Sequence, residues 1–376
     1  MNKYESLCDL NKIELNYKEV KLKTHHREKI VRFELFYMAN IYQIYKVLKE
    51  RKYRHSSYHI FLIKIPKYRI VMSESISDKI VNHLISNEIL LPLIEPKLIE
   101  TNIATRKNKG IKFGINYVKK YINHLKLKYN NFYILKCDIK KYFYNVDHEI
   151  LLEKLSLVIK DQEILEIITN IISTTNQKEN NEQIKKLVEK EKERLLKLNV
   201  KSIEKKIKEL ESIPLYENGK GLPIGNMTSQ IFAIFYLNEL DHFIKEKLHI
   251  KYYIRYMDDF ILMHPDREYL KYCLKEIEKE LAKVKLSLNK KTHIFSIKQG
   301  LNFMGFRFIL KGKRLIVLLN NQTRKRITKK LNSLSKMKKD EHYNSVLASY
   351  YGYFLNADCK AFLKSHSWYE NKKYKK

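Results

Sequence analysis

Apolar positions recur along this chain with two periods, and the change from one to the other marks its elements. Residues 1–50 place Ile30, Val31, Phe33, Leu35 and Phe36 among basic positions, a helical pattern. From 58 to 73, YHIFLIKIPKYRIVMS alternates apolar and basic residues around Pro66, which predicts a two-stranded hairpin. In SISDKIVNHLI, Ser77 or Asp78 is placed to cap a helix whose buried stripe is Ile80, Val81, Leu84 and Ile85. Phe132–Cys137 is an apolar run of strand length, and Asp138 stands at its end. Residues 178–211 contain neither Gly nor Pro and repeat apolar positions at Ile184, Leu187, Val188, Leu195, Ile203, Ile207 and Leu210. That predicts two helices or a helical hairpin, with one narrow stripe to be covered by the protein body, a protein partner, a second copy of the chain or RNA. A Gly-Pro-rich turn at 219–225 leads into a long amphipathic helix, which ends near 248.

The stretch KYYIRYMDDFILM, 251–263, is the most informative. Two short runs of strand-formers flank Asp258 and Asp259, so the pair is expected at the tip of a hairpin. Adjacent carboxylates among apolar residues are electrostatically costly unless solvated in a turn or neutralised by a cation. A helix over Arg267–Lys283 follows, then strand character around Gly305, then a helical region from 311 to 376.

Composition narrows the partner. The 376 residues carry 74 Lys and Arg against 42 Asp and Glu, a net charge of +32 that calls for a polyanion. No apolar run has the length of a membrane span, and the start MNKYESLCDL is too polar for a secretory signal. Nucleic acid in the cytoplasm is therefore expected rather than a membrane. The four cysteines, Cys8, Cys137, Cys273 and Cys359, are far apart, which argues against a zinc module or a disulfide framework. Tyrosine, at 27 residues and often beside Lys, suits stacking on single-stranded bases. From 311 to 376 there are 17 Lys and Arg and 4 Asp and Glu, a cluster suited to a phosphate backbone.

The candidate chemistry lies in carboxylates far apart in sequence. An Asp emerging from a buried strand ahead of a helix is placed either as a metal ligand or as an ordinary helix cap; Asp147, farther on, reads as a cap. If the strands ending at Asp138 and Asp258 are neighbours in one antiparallel sheet, three carboxylates meet at its edge. That is the arrangement for two Mg²⁺ ions about 3.5–4 Å apart, one activating a 3′-hydroxyl and one steadying pyrophosphate. Mn²⁺ is the alternative metal. Basic turns add candidate phosphate contacts: Lys64, Lys67 and Arg69 on the hairpin, and Arg106 and Lys109 before Gly110.

The order of motifs resembles that of reverse transcriptases: the basic hairpin, Asp138 followed by IKKYF, then LPIGNMTSQ, YMDD, LNKKT and FMGF. The resemblance covers roughly residues 55 to 365. It implies an α+β, right-hand polymerase fold and an RNA-directed DNA polymerase using template RNA and dNTPs to make cDNA. Under it Asp138, Asp258 and Asp259 bind the metals with help from the Ile139 carbonyl, and Phe143 is a steric gate against the ribose 2′-hydroxyl. Lys64, Lys67, Arg69, Arg106 and Lys109 face the triphosphate and template, and Ile224 and Gln230 belong to the nucleotide site. Lys291 is a proton donor to pyrophosphate, and Phe303, Met304 and Gly305 form the primer grip.

The implied division is an N-terminal helical extension (1–50), fingers with the start of the palm (51–129), palm (130–177 and 212–310), the charged insert (178–211) and a helical thumb (311–376). Two departures stand out. Many reverse transcriptases carry LPQG followed by SP where this chain has LPIG and SQ, so Ile224 replaces a glutamine and relaxed fidelity is expected. The IGNMTSQ form is similar to enzymes of diversity-generating retroelements and of bacterial antiphage defence; the compact members of both lack the insert. No HNH-like cluster and no second acidic constellation follows, so a dedicated non-coding RNA is the expected template. A non-catalytic RNA-binding scaffold and an RNA-dependent RNA polymerase are the competing readings.

Overall fold

The computed structural model describes residues 3–24, 27–176, 178–197, 203–335 and 341–366. Part of the basic C-terminal region, 336–340 and 367–376, therefore lies outside the described residues, as does 198–202 within the insert. The fold is α+β, helices packed with antiparallel sheets.

The chain opens with helices α1 (Leu10–Lys23), α2 (Arg27–Glu34) and α3 (Tyr37–Lys49), then forms the hairpin β1 (His59–Ile63) and β2 (Arg69–Ser73). Helix α4 (Ile76–Ile85) starts at Ser75, whose side chain accepts from the Asp78 amide. The expected cap at Ser77 or Asp78 is thus corrected by two or three residues. The Asp78 carboxylate accepts from Ser75, three residues back, and from Tyr53 and Ser56, two contacts that local pattern does not carry. A short α5 (Leu91–Ile94) and the long α6 (Ile111–Lys128) lead to β3 (Tyr133–Asp138), then α7 (Tyr142–Asn145), α8 (His148–Ser156) and α9 (Gln162–Ser173). Asp147 caps α8, accepting from the Ile150 amide.

The insert is two helices, α10 (Lys178–Leu196) and α11 (Ile203–Glu211). Its stripe is covered by this chain's own hairpin: Ile184, Leu187 and Val188 pack with Tyr58, Ile60, Ile70 and Met72. Next comes α12 (Met227–Tyr236), buried at every residue from Thr228 to Tyr236 except Gln230. The long amphipathic helix expected to 248 is therefore a core helix, broken at Leu237 before α13 (Asn238–His242) and a wider π-type turn, Phe243–Lys247. A helix apolar on all sides is a core helix.

Strands β4 (Tyr252–Tyr256) and β5 (Asp259–His264) form the acidic hairpin, followed by α14 (Arg267–Lys283) and β6 (His293–Ser296). These make one antiparallel sheet in the order β4-β5-β3-β6. A second sheet joins β7 (Leu301–Phe303), β8 (Phe306–Lys311) and β9 (Arg314–Leu319) before α15 (Asn321–Ser335), α16 (Glu341–Phe354) and α17 (Lys360–Lys364). Helix thus begins at Asn321, not at 311, because RLIVLL is β-branched and apolar enough to complete a sheet.

The chain divides into two compact units, one of Met1–Glu100, Ile139–His242 and Glu278–Leu288, the other of Thr101–Asp138, Phe243–Ile277 and Asn289–Lys376. The first holds the basic hairpin, the insert and α12. The second holds both larger sheets over a core that includes Ile134, Ile254, Ile261, Phe303, Phe306 and Phe308.

Candidate active site

Asp138 ends β3, Asp259 begins β5, and the two are direct partners in the antiparallel register. Directly opposed residues have Cβ atoms about 4.5–5.5 Å apart, and like charges so placed repel. Tyr256 pairs with Asp259, so Met257 and Asp258 form a two-residue turn. Met257 has φ +56°, the left-handed start that hairpin turns of the primed types require. Arg255, fully buried, donates from Nη1 to the Met257 carbonyl at 2.9 Å.

The two oxygens of Asp259 have different surroundings. Oδ2 accepts from Lys136 Nζ at 3.2 Å, whereas Oδ1 is shut off from solvent without a hydrogen-bond partner. Burial, with Asp138 and Asp258 adding to it and Lys136 opposing, pushes this carboxyl up to about 6. Among the described residues no three His, Cys, Asp or Glu side chains are grouped to hold a metal ion by themselves. An unpartnered carboxylate oxygen beside a second carboxylate in register still fits Mg²⁺, which takes one or two carboxylates and completes its shell with water and substrate phosphates.

The LNKKT loop is bonded to the end of β3: the Asn289 amide donates to the Asp138 carbonyl at 2.7 Å. Lys291 is exposed, and its amide donates to Asn289 Oδ1 at 3.2 Å. Phe303 pairs with Phe306, leaving Met304 and Gly305 as the turn at φ +51° and +85°, both positive as a type I′ turn needs. Met304 packs where a Cβ on Gly114 of α6 would stand, at 2.7 Å from its sulfur. A cavity of about 380 Å³ lies between this turn and Asp259, lined by Lys136, Asn302, Phe303, Met304 and Arg307. Arg106 donates to the Asn102 carbonyl at 2.9 Å, and the Lys109 ammonium sits 4.5 Å from the Phe113 ring centroid.

The other unit brings together a second set. The Leu222 amide donates to the Phe143 carbonyl at 2.7 Å, and the Met72 amide to the Ile224 carbonyl at 2.8 Å. Phe143 and Ile224 are half-buried, and Gln230 is the exposed residue of α12. Ile139 is buried and bridges Leu288. Lys67 and Arg69 are exposed on the basic hairpin, but the Lys64 ammonium is bound to Glu191 of the insert, with Arg194 on the same carboxylate.

Residues 63–308, more than half of the chain, match the sequence model of the reverse transcriptase (RNA-dependent DNA polymerase) family. The chain belongs to that family. No curated protein matches it significantly in sequence. Its similar solved structures include an apo telomerase from Candida tropicalis, truncated from its C-terminal domain, at 14% identity and TM-score 0.45 over 74% of this chain and 59% of that one. Another is telomerase from Candida albicans with a TWJ fragment of telomeric RNA, at 13% identity and TM-score 0.46 over 88% of this chain and 61% of that one. This chain thus spans about three fifths of each telomerase chain.

The reverse-transcriptase motifs are therefore distributed over both units. Asp138, Asp258, Asp259, Arg106, Lys109, Lys291 and Phe303–Gly305 belong to one; Lys64, Lys67, Arg69, Ile139, Phe143, Ile224 and Gln230 belong to the other. Sequence reasoning missed Lys136, Arg255 and Glu191. Strand alternation was the available signal for Lys136, two residues before Asp138 and so on the same face. Arg255 was visible as a charge within an apolar strand.

Proposed function

We propose that this chain is an RNA-directed DNA polymerase that extends a primer with dNTPs on an RNA template. The observation that supports this most is the Asp138–Asp259 pair, with one carboxylate oxygen left for a cation, in a member of the reverse transcriptase family. When bound, two Mg²⁺ ions, or Mn²⁺ in their place, would activate the primer 3′-hydroxyl and stabilise the charge on the leaving pyrophosphate. Asp138, Asp258 and Asp259 supply the carboxylates, and the Ile139 carbonyl assists. Phe143 rejects the ribose 2′-hydroxyl, and Ile224 and Gln230 border the nucleotide. Lys67, Arg69, Arg106 and Lys109 attract the triphosphate and template; Lys64 does so once released by Glu191. Lys291 protonates pyrophosphate, and Phe303–Gly305 seat the primer end.

Replacing Asp258 and Asp259 by Ala should abolish dNTP incorporation on a primed RNA while RNA binding is kept. Incorporation unchanged in that variant overturns the reading in favour of a scaffold. Phe143→Ala should reduce the preference for dNTPs over rNTPs by roughly 10–200-fold, the range one group in an apolar pocket commands. Equal use of both by the wild type would instead indicate an RNA polymerase.

Its setting, in this proposal, is bacterial antiphage defence in the cytoplasm with a dedicated non-coding RNA; the alternative is a diversity-generating retroelement. The insert, absent from compact members of both groups, supports a specialised role. No described helix is long and apolar enough to cross a membrane. Sequencing the RNA and cDNA that copurify with the protein separates the two: one recurrent non-coding RNA for defence, substituted copies of a repeat region for the retroelement.

A further inference from the structure

We propose that Lys136 is a positioning residue of this site, a built-in cation that holds Asp259 before a divalent metal arrives and ties it to the primer-grip strand. The inference rests on the polymerase reading above. Lys136 lies on β3 opposite Ile261 on one side and His293 on the other, two residues before Asp138 and hence on its face of the sheet. Its ammonium makes two hydrogen bonds, to Asp259 Oδ2 at 3.2 Å and to the Asn302 carbonyl at 2.9 Å, and stands 5.7 Å from the Phe303 ring centroid. Asn302 and Phe303 lead directly into the Met304–Gly305 turn. One side chain therefore spans from a metal-site carboxylate to the strand that carries the primer grip.

The charge arithmetic explains why a cation is needed there. Asp138 and Asp259 oppose each other in register and Asp258 adjoins, so three negative charges converge on one sheet end. Like charges directly opposed are destabilising, and without metal the Lys136 ammonium partly offsets that repulsion. It takes Oδ2 and leaves Oδ1 without a hydrogen-bond partner, so Oδ1 is the oxygen whose missing partner a divalent ion would supply. Fixing one oxygen orients the other, as groups behind a metal ligand commonly do. The cost is repulsion between the ammonium and the incoming ion. Lys136 thereby keeps the metal-free hairpin in shape and keeps intrinsic divalent affinity low, so that substrate phosphates are needed to complete the site.

The test is Mn²⁺ binding to the full chain by calorimetry, without nucleic acid or nucleotide. Lys136→Met should bind Mn²⁺ about tenfold more tightly than wild type and melt at a lower temperature in EDTA, the melting deficit closing at saturating Mn²⁺. Lys136→Arg should restore the weaker binding. Equal or weaker Mn²⁺ binding by Lys136→Met overturns the proposal. A second measurement needs no variant: the acylation rate of Lys136 in wild-type protein, read by mass spectrometry, should rise when Mn²⁺ loosens its hold on Asp259. An unchanged rate also overturns the proposal. Loss of incorporation in the carboxylate variants tests the function separately, so either idea can fail alone.

Discussion

Arg255 holds the carbonyl of Met257 at 2.9 Å, with one residue between them and no solvent on the guanidinium. The contact fixes the turn that displays Asp258. Met257 sits at φ +56°, where a side-chain-bearing residue costs about 1–2 kcal/mol, so the turn persists because its surroundings hold it. Arg255→Met removes the donor that the half-buried Met257 carbonyl accepts from. We expect a loss of about 1–3 kcal/mol in urea unfolding and slower dNTP incorporation. Arg255→Lys should not recover both, since an ammonium cannot reproduce the planar fork. Full stability and full incorporation in Arg255→Met would show that the turn needs no such support.

Ile224 combines a structural backbone with a side chain open to tuning. Its carbonyl accepts from the Met72 amide at 2.8 Å, a bond that any side chain at 224 leaves intact. Ile224→Gln should therefore keep the fold and stability within about 0.5 kcal/mol, the usual range for substitutions away from core contacts. Under the polymerase reading it should lower misincorporation by adding a polar contact near the sugar and base. Error rates equal to wild type, counted on one RNA template, would remove Ile224 as the determinant of fidelity.

Both strands of the acidic hairpin, the basic hairpin and the insert helices were legible because their patterns are local. The neighbouring position of β3 and β5 was legible only as a condition, that two acidic strand ends share one sheet; the register placing Asp138 opposite Asp259 is a tertiary fact. Some local readings failed for physical reasons. Ser75 outcompeted Ser77 and Asp78 as the cap because Asp78 is drawn into bonds with Tyr53 and Ser56, more than 20 positions away. The strand at Arg314–Leu319 was hidden by the heavy charge of the region around it. Lys64 reads as a phosphate contact because its partner, Glu191, lies 127 residues on.

The Lys64–Glu191 pair predicts an acid-sensitive attachment of the insert. Arg194 and then Lys64 hold the buried Glu191 carboxyl down at about 2, against the opposing cost of its burial. A depressed carboxyl contributes stability that is complete above its ordinary value of 4.5 and is lost as pH falls toward 2. Glu191→Gln should therefore be less stable than wild type by about 1.5–3 kcal/mol at neutral pH, and the gap should close on acidification. Unfolding curves for the two proteins over that pH range check this; a constant gap would place the effect outside the ion pair.

Gly225 supplies the closest test of how the Ile224 loop is seated. A Cβ there would stand 2.5 Å from the Met72 carbonyl oxygen, and its φ of +141° disfavours a side chain independently. Backbone oxygen cannot rotate aside as a flexible side chain can, so Gly225→Ala must push the loop off β2. We expect a loss of about 1–3 kcal/mol, faster hydrogen exchange at the Met72 amide and weaker nucleotide use. Gly219 provides the control, since its φ is +72° but nothing lies within 4 Å of an added Cβ. Gly219→Ala carries the conformational cost without the collision and should leave Met72 exchange at the wild-type rate. If both variants speed that exchange equally, backbone freedom rather than close approach explains the glycine at 225.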